Sequence, residues 1–232
     1  NLLTLANLLA GCLGIYFVMQ GNLLWASYCI FISLLCDFLD GFLARLLHAY
    51  SELGKQLDSL ADMVSFGVLP SFMLFALVEQ SCGSQCSVGI FGFYKPFMVF
   101  ALALMSAYRL AKFNIDTRQS DQFIGVPTPA NGLLVASLPL ILHFQPEFSP
   151  YILHFKGLLI YSIVMSYLLV AEFPLMAFKF KSWGWAANQM RYLFLIYCVA
   201  ILLLLKFAAF PILVVSYIVL SFILSLLNIK QK

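Results

Sequence analysis

Long apolar runs separated by short polar stretches make up most of the chain. They fall at 2–19, 23–48, 54–79, 93–115, 130–144, 157–178, 192–207 and 210–227. The runs are rich in Leu and Phe and lack the period-two alternation of a membrane strand, so they predict helices rather than a barrel. Most come close to the ~20 residues that cross a bilayer as a helix. The last two are joined tightly near Ala208 and Pro211 and could form one hairpin. The expected fold is all-α: a polytopic membrane bundle of about eight transmembrane helices, forming one domain over residues 1–232.

Composition agrees with this pattern. Of 232 residues, 63% are hydrophobic and 10% charged, against about 45–50% and roughly 25% in soluble domains. Mean hydropathy is +0.97. These values exclude a disordered chain, a nucleic-acid-binding module and an ordinary soluble enzyme. The net charge of +3 is small, so the placement of the charges matters more than their sum. With eight spans, Arg45, Lys55, Arg109, Lys112, Arg118, Lys179, Lys181, Arg191, Lys230 and Lys232 gather on one side. Only Lys95, Lys156 and Lys206 fall on the other. The positive-inside rule makes the first side cytoplasmic and puts both termini there. The first run could pass for a signal peptide, but it carries no basic segment within residues 1–19 and no later stretch reads as a secreted domain. It is read as a membrane helix, with further residues expected before Asn1.

Cys12, Cys29, Cys36 and Cys198 lie in apolar runs and read as small hydrophobic packing residues. Cys82 and Cys86 share a polar loop on the outer side. There they could pair or remain thiols, and no nearby His or Cys suggests a metal site.

The acidic residues change the picture more. The chain has ten, and Asp37, Asp40, Asp58 and Asp62 occur close together within or beside apolar runs. A carboxylate at membrane depth costs about 2.5–3.5 kcal/mol on insertion scales and marks a functional site by default. Asp37 and Asp40 share a helical face that continues through Gly41, Ala44 and Arg45. Asp58 and Asp62 share a face of the next helix, which returns antiparallel. Arg45 and Lys55 cannot neutralise four converging carboxylates, so hard divalent cations, Mg²⁺ or Mn²⁺, are the natural partners. Small residues at Gly41, Ala44 and Gly54 either admit a bulky anionic ligand or let helices pack closely.

Written as Asp37-x2-Asp40-Gly41-x2-Ala44-Arg45-x8-Gly54-x3-Asp58-x3-Asp62, the segment 37–62 resembles the complete signature of the CDP-alcohol phosphatidyltransferase family. The resemblance implies that an alcohol hydroxyl attacks the lipid-side phosphorus of CDP-diacylglycerol and CMP leaves. It implies metal ligands at Asp37, Asp40, Asp58 and Asp62, about two ions, and a general base at Asp62. It also implies CDP-diacylglycerol contacts at Asp37, Gly41, Ala44, Arg45, Gly54 and Thr4. The chemistry is consistent with these residue types, because displacing CMP requires diphosphate neutralisation and a positioned base.

Outside the signature, the stretches 1–7, 63–70, 109–114, 123–130 and 172–179 resemble the membrane-integral phosphatidylserine synthases of that family. The implied acceptor is L-serine, a zwitterion whose carboxylate calls for a cation. Arg109, Lys112, Asn114 and Arg118 are candidates for holding it or the lipid phosphate, although basic residues there could equally anchor the helix at the headgroup layer. Glu172 could reach the same cavity or sit at the interface, and His48 reads as interfacial. The resemblance also implies a homodimer. The expected location is a bacterial inner membrane, among membrane lipids, with the active site on the basic side and so facing the cytoplasm. Two other readings stay open: a relative using a phosphorylated alcohol such as glycerol phosphate or inositol phosphate, and a carboxylate-lined cation transporter. The moderately basic loops favour an unphosphorylated acceptor, and the absence of an evident internal repeat weighs against the transporter.

Overall fold

The computed structural model describes residues 1–48, 51–83, 95–115, 123–172, 174–175 and 185–226. Its helices are α1 (Leu2–Met19), α2 (Leu23–Leu46), α3 (Glu52–Asp62), α4 (Leu69–Cys82), α5 (Ala101–Ile115), α6 (Thr128–Phe144), α7 (Ser149–Ile152), α8 (Phe155–Val170), α9 (Trp185–Leu205) and α10 (Ala209–Leu226). By length and composition, Leu2–Met19, Glu52–Cys82, Pro96–Ile115 and Tyr192–Leu224 are candidate membrane spans. Pro146–Ile152 and Phe155–Val170, bent by 70°, add a fifth if taken together.

Local chemistry sets the turns. α1 ends in a Schellman motif, with Gly21 N–H bonded to the Val18 carbonyl and Asn22 N–H to that of Phe17. Gly21 supplies the required left-handed backbone at φ 73°. Asn22 then caps α2 by accepting from Trp25 N–H at 3.3 Å. This turn lays α2 antiparallel against α1. α2 stops at Leu46, short of the expected 48, because His48 adopts φ 51°. Ser51 restarts the chain by accepting from Gly54 N–H at 3.0 Å, which caps α3.

The third apolar run is not one uniform helix. A π turn over Met63–Val68 separates α3 from α4, and buries Ser65, Phe66 and Gly67 in succession. The sixth run also departs from expectation. Its helix ends at Val170, not at 178, and Ala171 turns to ψ 135°. Pro174 lies three residues on and cannot donate to a helical ladder. Instead Pro174–Leu175 (β2) pairs antiparallel with Phe123–Ile124 (β1). Among the described residues this two-residue pairing is the sole β structure.

The 192–224 stretch is folded back on itself. The Phe194 and Tyr217 rings lie 6.1 Å apart, whereas 23 residues of continuous helix would rise roughly 35 Å. Lys206 makes the reversal at φ 50°. The Gln145 side chain holds that turn, donating to the Leu205 carbonyl at 3.1 Å and accepting from Ala208 N–H at 3.0 Å. The core is centred on Phe66, Leu69, Met73, Leu74 and Leu77, with Ile30 of α2 and Val135 of α6 packed against them.

Candidate active site

The site is assembled between the first turns of α1, the second half of α2 and the second half of α3. Asp37 of α2 and Asp58 and Asp62 of α3 each offer a carboxylate oxygen, and these atoms lie within 4.8 Å of one another. Asp40, one turn below Asp37, is turned instead to α1, where Thr4 Oγ1 donates a hydrogen bond to Asp40 Oδ2. Three of the four signature aspartates therefore converge directly, and the fourth is engaged by Thr4.

Asp62 is the most enclosed of the four, at 8% exposure. Asn7 of α1 is fully buried and donates from Nδ2 to Asp62 Oδ1 at 3.1 Å. The backbone carbonyl of Asn7 accepts from Ser33 Oγ of α2 at 3.2 Å and from Ser65 Oγ of the π turn at 3.0 Å. One residue thus ties together the three helical segments around the cluster. Glycines allow this closeness. A Cβ on Gly11 would lie 2.5 Å from Ser65 Oγ and 3.1 Å from Ser65 Cα, and one on Gly14 would lie 2.3 Å from Leu69 Cδ2. Asn7, Gly11 and Gly14 form one stripe of α1 that runs beside Asp62, Ser65 and Leu69.

Gly41 is different. A Cβ there would meet only the Arg45 guanidinium, at 3.9 Å, so helix packing does not require glycine at this position. Gly41 and Arg45 are exposed, Ala44 is half-buried, and Arg45 Nε donates to the Gly41 carbonyl at 2.9 Å. Gly54 sits inside the α3 cap, where a Cβ would press on Ser51 Oγ at 2.9 Å.

α5 closes another side. Lys55 Nζ donates to the Asn114 carbonyl at 2.9 Å, and Asn114 Nδ2 donates to Ser59 Oγ at 2.9 Å, which braces α5 against α3. Arg109, one to two turns deeper, is 8% exposed. Its Nε donates to the Val126 carbonyl at 2.5 Å and its Nη2 to the Gly125 carbonyl at 3.4 Å. No carboxylate pairs with it among the described residues. Lys112 pairs with Glu172 beyond the end of α8. Arg118 lies outside the described residues, as do Cys86, Lys179, Lys181 and Trp183. Cys82 is disulfide-bonded. Of the free thiols Cys29 is buried, Cys36 and Cys198 are half-buried and Cys12 is exposed.

The donor set suits a divalent cation. No lysine or arginine pairs with Asp37, Asp58 or Asp62 among the described residues. All three offer hard oxygen ligands. Oxygens sharing one Mg²⁺ at ~2.1 Å lie at most about 4.2 Å apart, so the 4.8 Å spread needs only a small side-chain adjustment.

The family model for CDP-alcohol phosphatidyltransferase matches residues 1–177, which include every one of these groups. The chain belongs to the CDP-alcohol phosphatidyltransferase family. It is 37% identical over 144 residues to the CDP-diacylglycerol–serine O-phosphatidyltransferase of Helicobacter pylori strain J99, covering 61% of this chain and 56% of that protein. It is 32% identical over 140 residues to the enzyme of the same name from Bacillus subtilis, covering 59% and 72%. Archaetidylserine synthase of Methanothermobacter thermautotrophicus is 30% identical over 145 residues, covering 60% and 57%. The match thus spans little more than half the length of the Helicobacter relative. As a family member the chain carries its signature on α2 and α3, and the structure adds Asn7, which lies outside that signature. The available sequence sign was modest: an Asn in an apolar run, in helical phase with Thr4, Gly11 and Gly14.

Proposed function

We propose that this protein transfers the phosphatidyl group of CDP-diacylglycerol to L-serine, releasing CMP and forming phosphatidylserine. The observation that carries the proposal is the convergence of Asp37, Asp58 and Asp62 from two helices in the family spacing, without a lysine or arginine paired to them among the described residues. The names of the relatives support serine as acceptor.

Asp37, Asp58 and Asp62 would hold a divalent cation, with Asp40 completing the set for a second. When bound, Mg²⁺ or Mn²⁺ supplies positive charge to the diphosphate and to the departing phosphate of CMP. Asp62 accepts the proton of the serine hydroxyl as its oxygen bonds to the lipid-side phosphorus and the phosphorus–oxygen bond to CMP breaks. The open surface at Gly41 and Ala44 lets the nucleotide approach the α2 backbone. Arg45 offers a cation to phosphate there, and Gly54 and Thr4, whose hydroxyl engages Asp40, are assigned to CDP-diacylglycerol from the sequence pattern. Arg109 is the strongest candidate for the serine carboxylate, because it is a buried guanidinium bonded only to carbonyls among the described residues. Lys112, Asn114 and Arg118 are assigned to acceptor or phosphate binding from the sequence pattern alone.

The whole chain reads as one domain with eight spans, both termini and the active site facing the cytoplasm of a bacterial inner membrane. A homodimer is the proposed assembly. The deciding experiment measures CMP release by purified protein with CDP-diacylglycerol, Mg²⁺ or Mn²⁺, and a panel of acceptors. Serine-dependent release that stops on chelation is expected. Release driven only by glycerol phosphate or inositol phosphate would reassign the acceptor, and no release with any acceptor would overturn the proposed reaction.

A further inference from the structure

Asn7 lies outside the 37–62 signature, in the 1–7 stretch, yet it makes the one side-chain hydrogen bond to the proposed base among the described residues. Its amide donates to Asp62 Oδ1 at 3.1 Å, and Asp62 takes no other hydrogen bond among the described residues. Asn7 is fully buried, and its Oδ1 has no partner among the described residues. A buried acceptor left unpaired costs about 1–3 kcal/mol. A residue needed only for packing α1 against α3 would avoid that cost if it were Leu or Ala. The amide orientation is fixed by its neighbour, since the alternative would aim the Asn carbonyl at a carboxylate. The Asn7 backbone is itself held, through its carbonyl, by Ser33 and Ser65. The donor is therefore anchored by two hydroxyls before it reaches the carboxylate.

We propose that Asn7 is a positioning residue: its amide N–H pins one oxygen of Asp62, so that the other is presented to the cation and to the acceptor hydroxyl. The inference rests on the role proposed above for Asp62. Outer partners that orient a metal-binding carboxylate typically contribute 10–100-fold to metal affinity or activity.

The test replaces the amide without emptying its space. In Asn7→Leu, the melting temperature of purified protein without divalent metal is expected to equal or exceed that of the parent. The Mn²⁺ concentration giving half-maximal thermal stabilisation, measured without substrate, should rise at least tenfold. At saturating Mn²⁺, kcat for CMP release should fall tenfold or more while KM for CDP-diacylglycerol stays within twofold. If Asn7→Leu melts early, Asn7→Ala is read by the same three measures. A purely structural role would lower the metal-free melting temperature and leave the Mn²⁺ midpoint unchanged, which overturns the proposal. Asp62→Asn, measured alongside, separates the two layers of argument. If it loses both turnover and Mn²⁺ response while the folded Asn7 variant keeps both, only the positioning role fails. If Asp62→Asn keeps both, the assignment of Asp62 fails and the role of Asn7 falls with it.

Discussion

Two carboxylates of the site differ in what surrounds them, and that difference separates their expected roles. Asp40 is bound by a hydroxyl from α1, whereas Asp62 is nearly enclosed and touched by one amide. Removing the ability of Asp62 to take a proton leaves size and packing intact. Asp62→Asn should therefore stay folded and lose about 10²–10⁴-fold in CMP release, the usual contribution of a general base. Turnover near the parent level would remove Asp62 from the reaction. Arg109 makes a comparable case. A lysine there keeps the charge but loses the planar fork that reaches the Val126 and Gly125 carbonyls together. Arg109→Lys is expected to raise KM for serine at least tenfold, with KM for CDP-diacylglycerol nearly unchanged. A uniform drop in kcat with both KM values preserved would argue that Arg109 serves the 125–126 loop alone.

At the scale of elements, two glycines on adjacent helices give opposite expectations. Gly11→Ala would push a Cβ into Ser65, including its backbone, and so pry α1 from the π turn. Overpacking of this kind typically costs about 1–3 kcal/mol, and the melting temperature in detergent should fall, along with activity. Gly41→Ala meets no packed neighbour, so its melting temperature should match the parent while CMP release drops because the nucleotide approach is narrowed. Equal stability losses in both variants would contradict this division. The same elements show what the sequence could reveal. Apolar runs located the helices, because lipid and core both select hydrophobic side chains along a span. The signature spacing located Asp37, Asp58 and Asp62, because three- and four-residue steps fix a helical face. The π turn at Met63–Val68 was not legible, since its residues are as apolar as those of the helices it joins. Nor was the end of α8 at Val170, because hydrophobicity continues past it to Phe178. The contact from Asn7 to Asp62 bridges 55 positions, and no local pattern encodes a pairing at that range.

For the whole molecule, charge and helix direction bear on one question, the orientation in the membrane. α1 and α2 meet at Gln20–Asn22, far from the aspartates, whereas Arg45, Lys55 and Lys112 gather at the end that holds the site. Lys206 lies at the opposite end, in the α9–α10 turn beside Gln145. An excess of basic residues at the site end would make it the cytoplasmic one under the positive-inside rule, which is the orientation proposed above. That placement also suits the proposed chemistry, in which a water-soluble amino acid reaches the aspartate cluster and CMP leaves it. Two exposed positions test it. In intact cells, Gln20→Cys should react with a membrane-impermeant maleimide added outside. Glu52→Cys, at the start of α3 beside the site, should react only after the membrane is permeabilised, each judged against the labelling of the parent chain. The reverse pattern would invert the protein. It would also place the catalytic cluster on the side of the membrane away from the cytoplasmic pool of free serine.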